Sequence, residues 1–194
     1  MKDGMKITGG AARGRIIGHA RKHVRPTSSK VREAVFNILG SHIEKALFLD
    51  LYAGTGIMGC EALSRGAAEV FFVEKSKNNA ERIKEIVKTI GFEEHAHFYI
   101  QSAFHFIEEA QKINQKFDII FMDPPYYSQE IEKIITLFKR GSILAKEGLM
   151  ILEHFHKNHP PERIALSALI KQRRYGDTVL SMYKKILFQE TDDL

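Results

Sequence analysis

Three acidic residues stand where an apolar run stops: Asp50 after Leu47-Phe48-Leu49, Glu74 after Val70-Phe71-Phe72-Val73, and Asp123 after Phe117-Asp118-Ile119-Ile120-Phe121-Met122. Short runs rich in Val, Ile and Phe read as buried parallel strands, and the carboxyl ends of such strands are where open α/β sheets bind ligands. Asp123 is followed by Pro124, Pro125 and Tyr126. Each proline fixes φ and lacks an N–H, and Pro125 holds Pro124 extended, so the carbonyls of Asp123 and Pro124 have few local donors. The Asp123 carboxylate and the Pro124 carbonyl can each accept one hydrogen of an exocyclic amine while the Tyr126 ring stacks on the base that carries it. A bare Pro-Pro turn would leave Asp123 exposed and Tyr126 capping the core. The preceding strand and the glycine loop described next favour the chemical reading.

Gly54-x-Gly56-x-x-Gly59 follows the first strand and opens a helix, with Glu74 twenty positions beyond Gly54. Taken alone this spacing fits a dinucleotide site and suggests NAD. Asp50 argues against it, because a carboxylate beside a pyrophosphate in a partly buried site costs on the order of a few kcal/mol. A nucleoside carrying an ammonium and a sulfonium, S-adenosylmethionine, reverses the sign. Asp50 is then attractive and the glycines let the backbone approach the methionine part; Asp50, Tyr52, Ala53, Gly54, Thr55, Gly56 and Gly59 would bind the cofactor, and Glu74 its ribose hydroxyls.

The elements that must position these groups alternate strand and helix, which implies a parallel sheet. After Leu47–Leu49 comes a helix through Cys60, Ala62 and Leu63. Then follow strand Val70–Val73, a helix opened by Asn78 or Asn79 with Gly91 past its end, and strand His97–Ile100. A helix over Ala103–Ala110 leads to strand Phe117–Met122, and Ile131, Ile134, Ile135 and Phe138 mark another helix. Leu149–Leu152 is a fifth strand with Glu153 at its end. Ile164–Leu169 reads as a short helix, and Gly176-Asp177 joins two last strands, about Lys171–Tyr175 and Val179–Ile186. Upstream, Lys6–Thr8 and Arg15–Ile17 flank a Gly-rich connection, a hairpin too small to fold unaided. Thr27 and its serine neighbours can cap a helix whose apolar stripe is Val31, Ala34, Val35, Ile38 and Leu39, which puts Lys30 and Arg32 on its open side.

The charge is unevenly spread. The chain of 194 residues carries +5 formally, yet residues 1–32 hold nine basic residues against one acid, and the remainder is net negative. Such a block usually marks a polyanion contact, so Arg13, Arg15, Arg25, Thr27, Lys30 and Arg32, with Pro125 beside the pocket, are the candidate contacts to that polyanion. Cys60 is the only cysteine, which excludes an internal disulfide and a multi-cysteine zinc site. No apolar run approaches the roughly 18 residues of a membrane span, and the N-terminal residues do not form a signal peptide, so the expectation is a cytoplasmic monomer. His154, His156 and His159 follow the fifth strand in a polar stretch and read as solvated loop histidines, with no metal expected. Residues 1–40 form a basic extension, 41–188 the core and 189–194 a frayed tail.

On these residues the chain resembles the class I S-adenosylmethionine-dependent methyltransferases. Within them it is similar to the bacterial family that methylates the N2 amine of a guanine in small-subunit (16S) ribosomal RNA. The likeness spans nearly the full length and rests on Ile7-Thr8-Gly9-Gly10, Arg13-Gly14-Arg15, Arg25-Pro26-Thr27, Val31-Arg32-Glu33, the loop Asp50–Gly59, Asp123–Tyr126 and Tyr175-Gly176-Asp177-Thr178. It implies a Rossmann-like fold with a seven-stranded, mostly parallel sheet in the order 3-2-1-4-5-7-6, whose last strand is antiparallel. It implies S-adenosylmethionine as cofactor and rRNA or the small ribosomal subunit as partner. The reaction would be a direct in-line displacement in which Asp123 and Pro124 orient the amine. The Asp or Asn that such enzymes often place after strand 3 is replaced here by Gln101-Ser102-Ala103, leaving the Ser102 hydroxyl or the Ala103 N–H for the adenine. An adenine-N6 methyltransferase, a non-catalytic basic RNA-binding protein and a dehydrogenase are the alternatives.

Overall fold

The structure, a computed structural model, describes residues 4–18, 27–125 and 130–186. An eight-stranded sheet runs β1 Leu47–Asp50, β2 Glu69–Val73, β3 Ala96–Tyr99, β4 Phe117–Met122, β5 Leu144–Phe155, β6 Arg163–Ile164, β7 Ser167–Tyr175 and β8 Thr178–Lys185, in the spatial order 3-2-1-4-5-8-7-6. Strands β1 to β5 are mutually parallel, and β8 enters antiparallel to β5. The count is eight rather than the expected seven, because Ile164–Leu169 is not a helix. Arg163–Ile164 forms a two-residue strand that turns at Ala165, φ 51°, directly into β7. Without β6 the order is the expected one, with β7 and β8 as the sixth and seventh strands.

Helices cover both faces. α1 Ser29–Leu39, α2 Ile57–Ser64 and α3 Lys77–Ile90 pack with Phe48, Val70, Phe72, Ile119, Phe121 and Ile151 on one side. α4 Ala103–Lys112 and α5 Glu130–Arg140 pack with Leu49, Ile120, Met122 and Leu152 on the other. Alternation along each strand thus feeds both cores, as a doubly covered parallel sheet requires. Ser28, Ser76 and Ser102 accept hydrogen bonds from the N–H groups of Val31, Asn79 and His105, fixing where α1, α3 and α4 begin. The cap of α3 is therefore Ser76, not either asparagine.

The predicted N-terminal hairpin is present, bridged between Lys6 and Ile16, and its Met5, Ile7, Ala12 and Ile17 join the α1–α2 core. It leans on α2 through specific bonds: the Ala12 N–H donates to the Ser64 hydroxyl at 2.9 Å, and the Thr8 N–H to Glu61 at 2.9 Å. Cys60 is buried on α2, and burial pushes its thiol far above the ordinary value. Strand β5 runs beyond the expected segment at both ends. Glu153 and His154 therefore lie inside it, both buried, and the reading of His154 as a solvated loop residue is overturned. The His154 Nδ1–H donates to the Phe155 carbonyl and Nε2 accepts from the Ser181 hydroxyl, while desolvation lowers the imidazole pKa and keeps it neutral. Among the described residues no helix is long and apolar enough to cross a membrane, and no cluster of His, Cys, Asp and Glu is arranged to hold a metal ion.

Candidate active site

β1, β2 and β4 end side by side in register: Asp50 pairs with Phe72 on one flank and Phe121 on the other. Asp50, Glu74 and Asp123 consequently emerge at three adjacent strand tips, as their positions after three apolar runs predicted. A cavity of about 300 Å³ opens there, lined by Tyr52, Gly54, Glu74, Ser102, Ala103, Asp123 and Pro125. A side pocket of about 30 Å³ is lined by Thr27, Asp50, Ala53 and Thr55. Tyr52, Gly54 and Asp123 line both, so the two share a wall.

Asp50 is 1% exposed, and its Oδ2 accepts the Gly59 N–H at 3.1 Å. Burial dominates its titration, and although the Gly59 bond works the other way, the carboxyl is pushed up to about 7, with Glu74 adding to the rise. A carboxylate desolvated to this degree favours a cation, which would restore its ionised form. Gly59 serves from behind the cavity, where a Cβ would lie 2.1 Å from the Phe72 ring. Only the absence of a side chain lets α2 come close enough to β2 for its N–H to reach Asp50. Gly56 caps α2 in the left-handed region at φ 75°.

Glu74 is pinned by two backbone donors, the Gly54 N–H at 2.9 Å and the Ser76 N–H at 2.7 Å, one to each oxygen. An ionised carboxylate has about four acceptor sites, so a pair of hydroxyls can still be received. The Tyr52 phenol is driven well above its ordinary value by burial and then by Glu130, so it stays neutral. Ser102 uses its hydroxyl to accept from the His105 N–H at 3.2 Å while lining the cavity. Its backbone neighbour Ala103 lines the same wall. Asp123 is half-buried; Pro125 is exposed and lines the cavity, whereas Pro124 is buried. Tyr126 lies outside the described residues.

Asn79, Phe104 and Glu130 also line the cavity and were not singled out from sequence. Phe104 sits two residues past the Ser102 cap, where the strand-end rule could have found it. Glu130 opens α5 after an unpatterned stretch, and no spacing marks it.

The candidate RNA contacts separate. Arg13, Arg15 and Lys30 are exposed, with Arg15 Nη1 donating to the Thr89 carbonyl at 3.2 Å. Arg25 lies outside the described residues. Thr27 is buried at the side pocket. Arg32 corrects the expectation that it faces outward: it is 2% exposed, donating from Nε to Glu61 at 3.2 Å, from Nη2 to the Lys6 carbonyl at 2.7 Å and from Nη1 to the Thr27 carbonyl at 3.4 Å. Desolvation lowers its pKa, and Glu61 opposes that shift. Glu61 also receives the Thr8 hydroxyl at 2.7 Å and Arg65 Nε at 2.8 Å. Arg32 and Glu61 thus clasp the N-terminal hairpin, α1 and α2 together.

Comparison with known proteins gives one account over the whole chain. The family model described as conserved hypothetical protein 95 matches residues 5–184. The ribosomal RNA small subunit methyltransferase D of Haemophilus influenzae is 31% identical over 94% of this chain and 95% of its own length. Its namesake in Escherichia coli K12 is 31% identical over 97% and 93%. The structure of the Escherichia coli protein yhhF superposes with a TM-score of 0.81 at 32% identity, covering 93% of this chain and 97% of that one.

Proposed function

The chain belongs to the conserved hypothetical protein 95 family, that of the small-subunit rRNA methyltransferases D, and from that membership we propose that it transfers a methyl group from S-adenosylmethionine to the exocyclic N2 amine of a guanine in small-subunit rRNA. The observation that carries this reading is the placement of three acids at adjacent strand tips around two cavities that share a wall. Asp50 is a buried carboxyl that gains from a cation, Glu74 is held for hydroxyls, and the half-buried Asp123 stands at the wall common to both cavities.

S-adenosylmethionine, when bound, supplies an electrophilic methyl group. The chain's own residues do the rest by positioning and electrostatics. Asp50 ionises against the ammonium of the methionine part, and Glu74 accepts the ribose hydroxyls. Ser102 and the Ala103 N–H border the place of the adenine. Asp123, with the Pro124 carbonyl, accepts the hydrogens of the guanine amine, turning its lone pair out of the ring plane. As the methyl group moves to that nitrogen, the amine would give up one proton, to Asp123 or to water, with S-adenosylhomocysteine as the leaving product. Tyr126 stacks on the base. A stacked base would have to leave its neighbours to reach the strand tips, and unstacking it costs a few kcal/mol, which the stacking and amine contacts offset. Arg13, Arg15 and Lys30 neutralise the RNA backbone.

Methyl transfer from labelled S-adenosylmethionine to small-subunit particles and naked rRNA from a strain lacking this gene, with duplex DNA in parallel, tests the proposal. N2-methylguanosine is the expected product on digestion. N6-methyladenosine, or label only on duplex DNA, would replace it with the amine-directed alternative.

A further inference from the structure

The ladder pairings carry a level line across the sheet from the active site. Met122 pairs with Leu152, Leu152 with Ser181 and Ser181 with Gln172, so the next row aligns Asp123, Glu153, Leu180 and Arg173. Arg173 therefore stands at the height of Asp123, three strands away. At about 4.8 Å per strand this is roughly 14 Å. By alternation Arg173 projects to the face on which α1 packs, because its ladder neighbour Leu180 belongs to the α1 core. Lys171, level with Met182, lies on that face too. Glu153 and Leu180, between the two ends of the row, are buried, Leu180 in the core that includes α1, and the first turn of α1 exposes Lys30. Past β8 the covering stops, and Lys171, Arg173 and Arg174 are exposed.

β7 is rich in cations and holds no acid. Among the described residues, Lys171, Arg173 and Arg174 enter no ion pair. Arg173 and Arg174 donate only to the Gln172 and Gly176 carbonyls, which take up hydrogen-bond capacity but no charge. β6 pairs only with Ser167 and Ala168, so the rest of β7 is an open sheet edge among the described residues. Charged side chains also guard open edges against pairing with other chains. Either sign serves that purpose, whereas cations with no acid among them suit a polyanion.

We propose that Lys171 and Arg173 of β7, which share the sheet face on which α1 packs, form a second RNA contact, a phosphate rail on the side of the pocket away from β1; Arg174, next along the strand, projects to the opposite face and is not part of it. This deepens the proposed function and rests on its reading of RNA as the substrate. A single strand whose target base enters at Asp123 would lay its flanking phosphates against this edge. The N-terminal tract and the β7 rail would then hold the backbone from two elements far apart in sequence, with the flipped base beside α1.

The test is a charge reversal, K171E/R173E, measured for binding to unmethylated small-subunit rRNA by filter retention between 50 and 200 mM salt. The reversal keeps the edge charged and so keeps its guard. Each single-strand phosphate contact adds about 0.7 to the salt slope. Losing two flattens it by about 1.4, so wild-type binding weakens roughly 7-fold more than the variant's over that range. S-adenosylmethionine binding should be unchanged. If the reversed variant fails to fold, K171Q/R173Q is read by the same slope. An unchanged affinity and slope in a folded variant overturns the rail and leaves edge protection as the role of these residues. RNA binding reads the rail whether or not methyl transfer occurs; wild-type protein that binds RNA but transfers no methyl group would instead overturn the enzymatic reading.

Discussion

Asp50 ties cofactor affinity to pH in a way that can be worked through. In the cofactor-free protein its carboxyl titrates at about 7, raised from 3.8 first by burial and then by Glu74, against the Gly59 hydrogen bond. A cationic ligand prefers the ionised form, so apparent affinity follows the ionised fraction and rises with pH until the group is fully ionised. From pH 5.5 to 7.5 that fraction grows about 25-fold, worth roughly 1.9 kcal/mol. Above about pH 8 the ligand's own α-amino group begins to lose its charge, so affinity flattens and then falls. The folding signs run the other way. A carboxyl whose pKa is raised on folding keeps a proton the unfolded chain has released, so the cofactor-free protein loses stability as pH rises from about 4 to 7. Titration calorimetry in buffers of different ionisation enthalpy reads both affinity and proton release. Below pH 7 each binding event should release close to one proton, and Asp50→Asn should abolish the release and flatten the profile. Affinity constant from pH 5.5 to 7.5, with no proton release in the wild type, would refute the placement of a cation at Asp50.

Two further substitutions probe the scaffold. Glu61→Ala leaves the buried Arg32 guanidinium without its carboxylate and is expected to cost about 3 kcal/mol or more in urea unfolding, with earlier proteolytic cleavage in the N-terminal hairpin. Gly59→Ala drives a methyl group into the Phe72 ring, so it should cost about 1–3 kcal/mol in stability and also weaken cofactor binding as the Asp50 hydrogen bond shifts; a thermal shift series with and without cofactor reads both effects.

The parts of the fold that the sequence makes legible are those whose signals are local. The apolar runs ending in Asp50, Glu74 and Asp123 mark β1, β2 and β4, because a doubly covered strand must be apolar on both faces. The glycine spacing marks the turn into α2, since Gly59 answers to a close approach that no larger residue permits. Ile164–Leu169 misleads because its apolar residues fit a helical stripe, while the left-handed turn at Ala165 and the pairing of Ile164 with Ser167 are set by the neighbouring β7. Arg32 misleads for a related reason. It shares a helical stripe with Phe36 and Leu39, both buried, yet its charge argues for solvent; what makes its burial tolerable is Glu61 on another helix, which no local pattern reveals. His154 is hidden by the same kind of partner, Ser181 across the sheet.

The account's central claim is that the strand tips divide their work, with Asp50 and Glu74 serving the cofactor and Asp123 the amine. Asp123→Ala tests this most directly, with S-adenosylmethionine binding and single-turnover methyl transfer to rRNA measured on the same preparation. The expected result is a fall in transfer of at least about 100-fold with cofactor affinity within a few-fold of wild type. Parallel loss of binding and transfer, or transfer that survives the substitution, would contradict it.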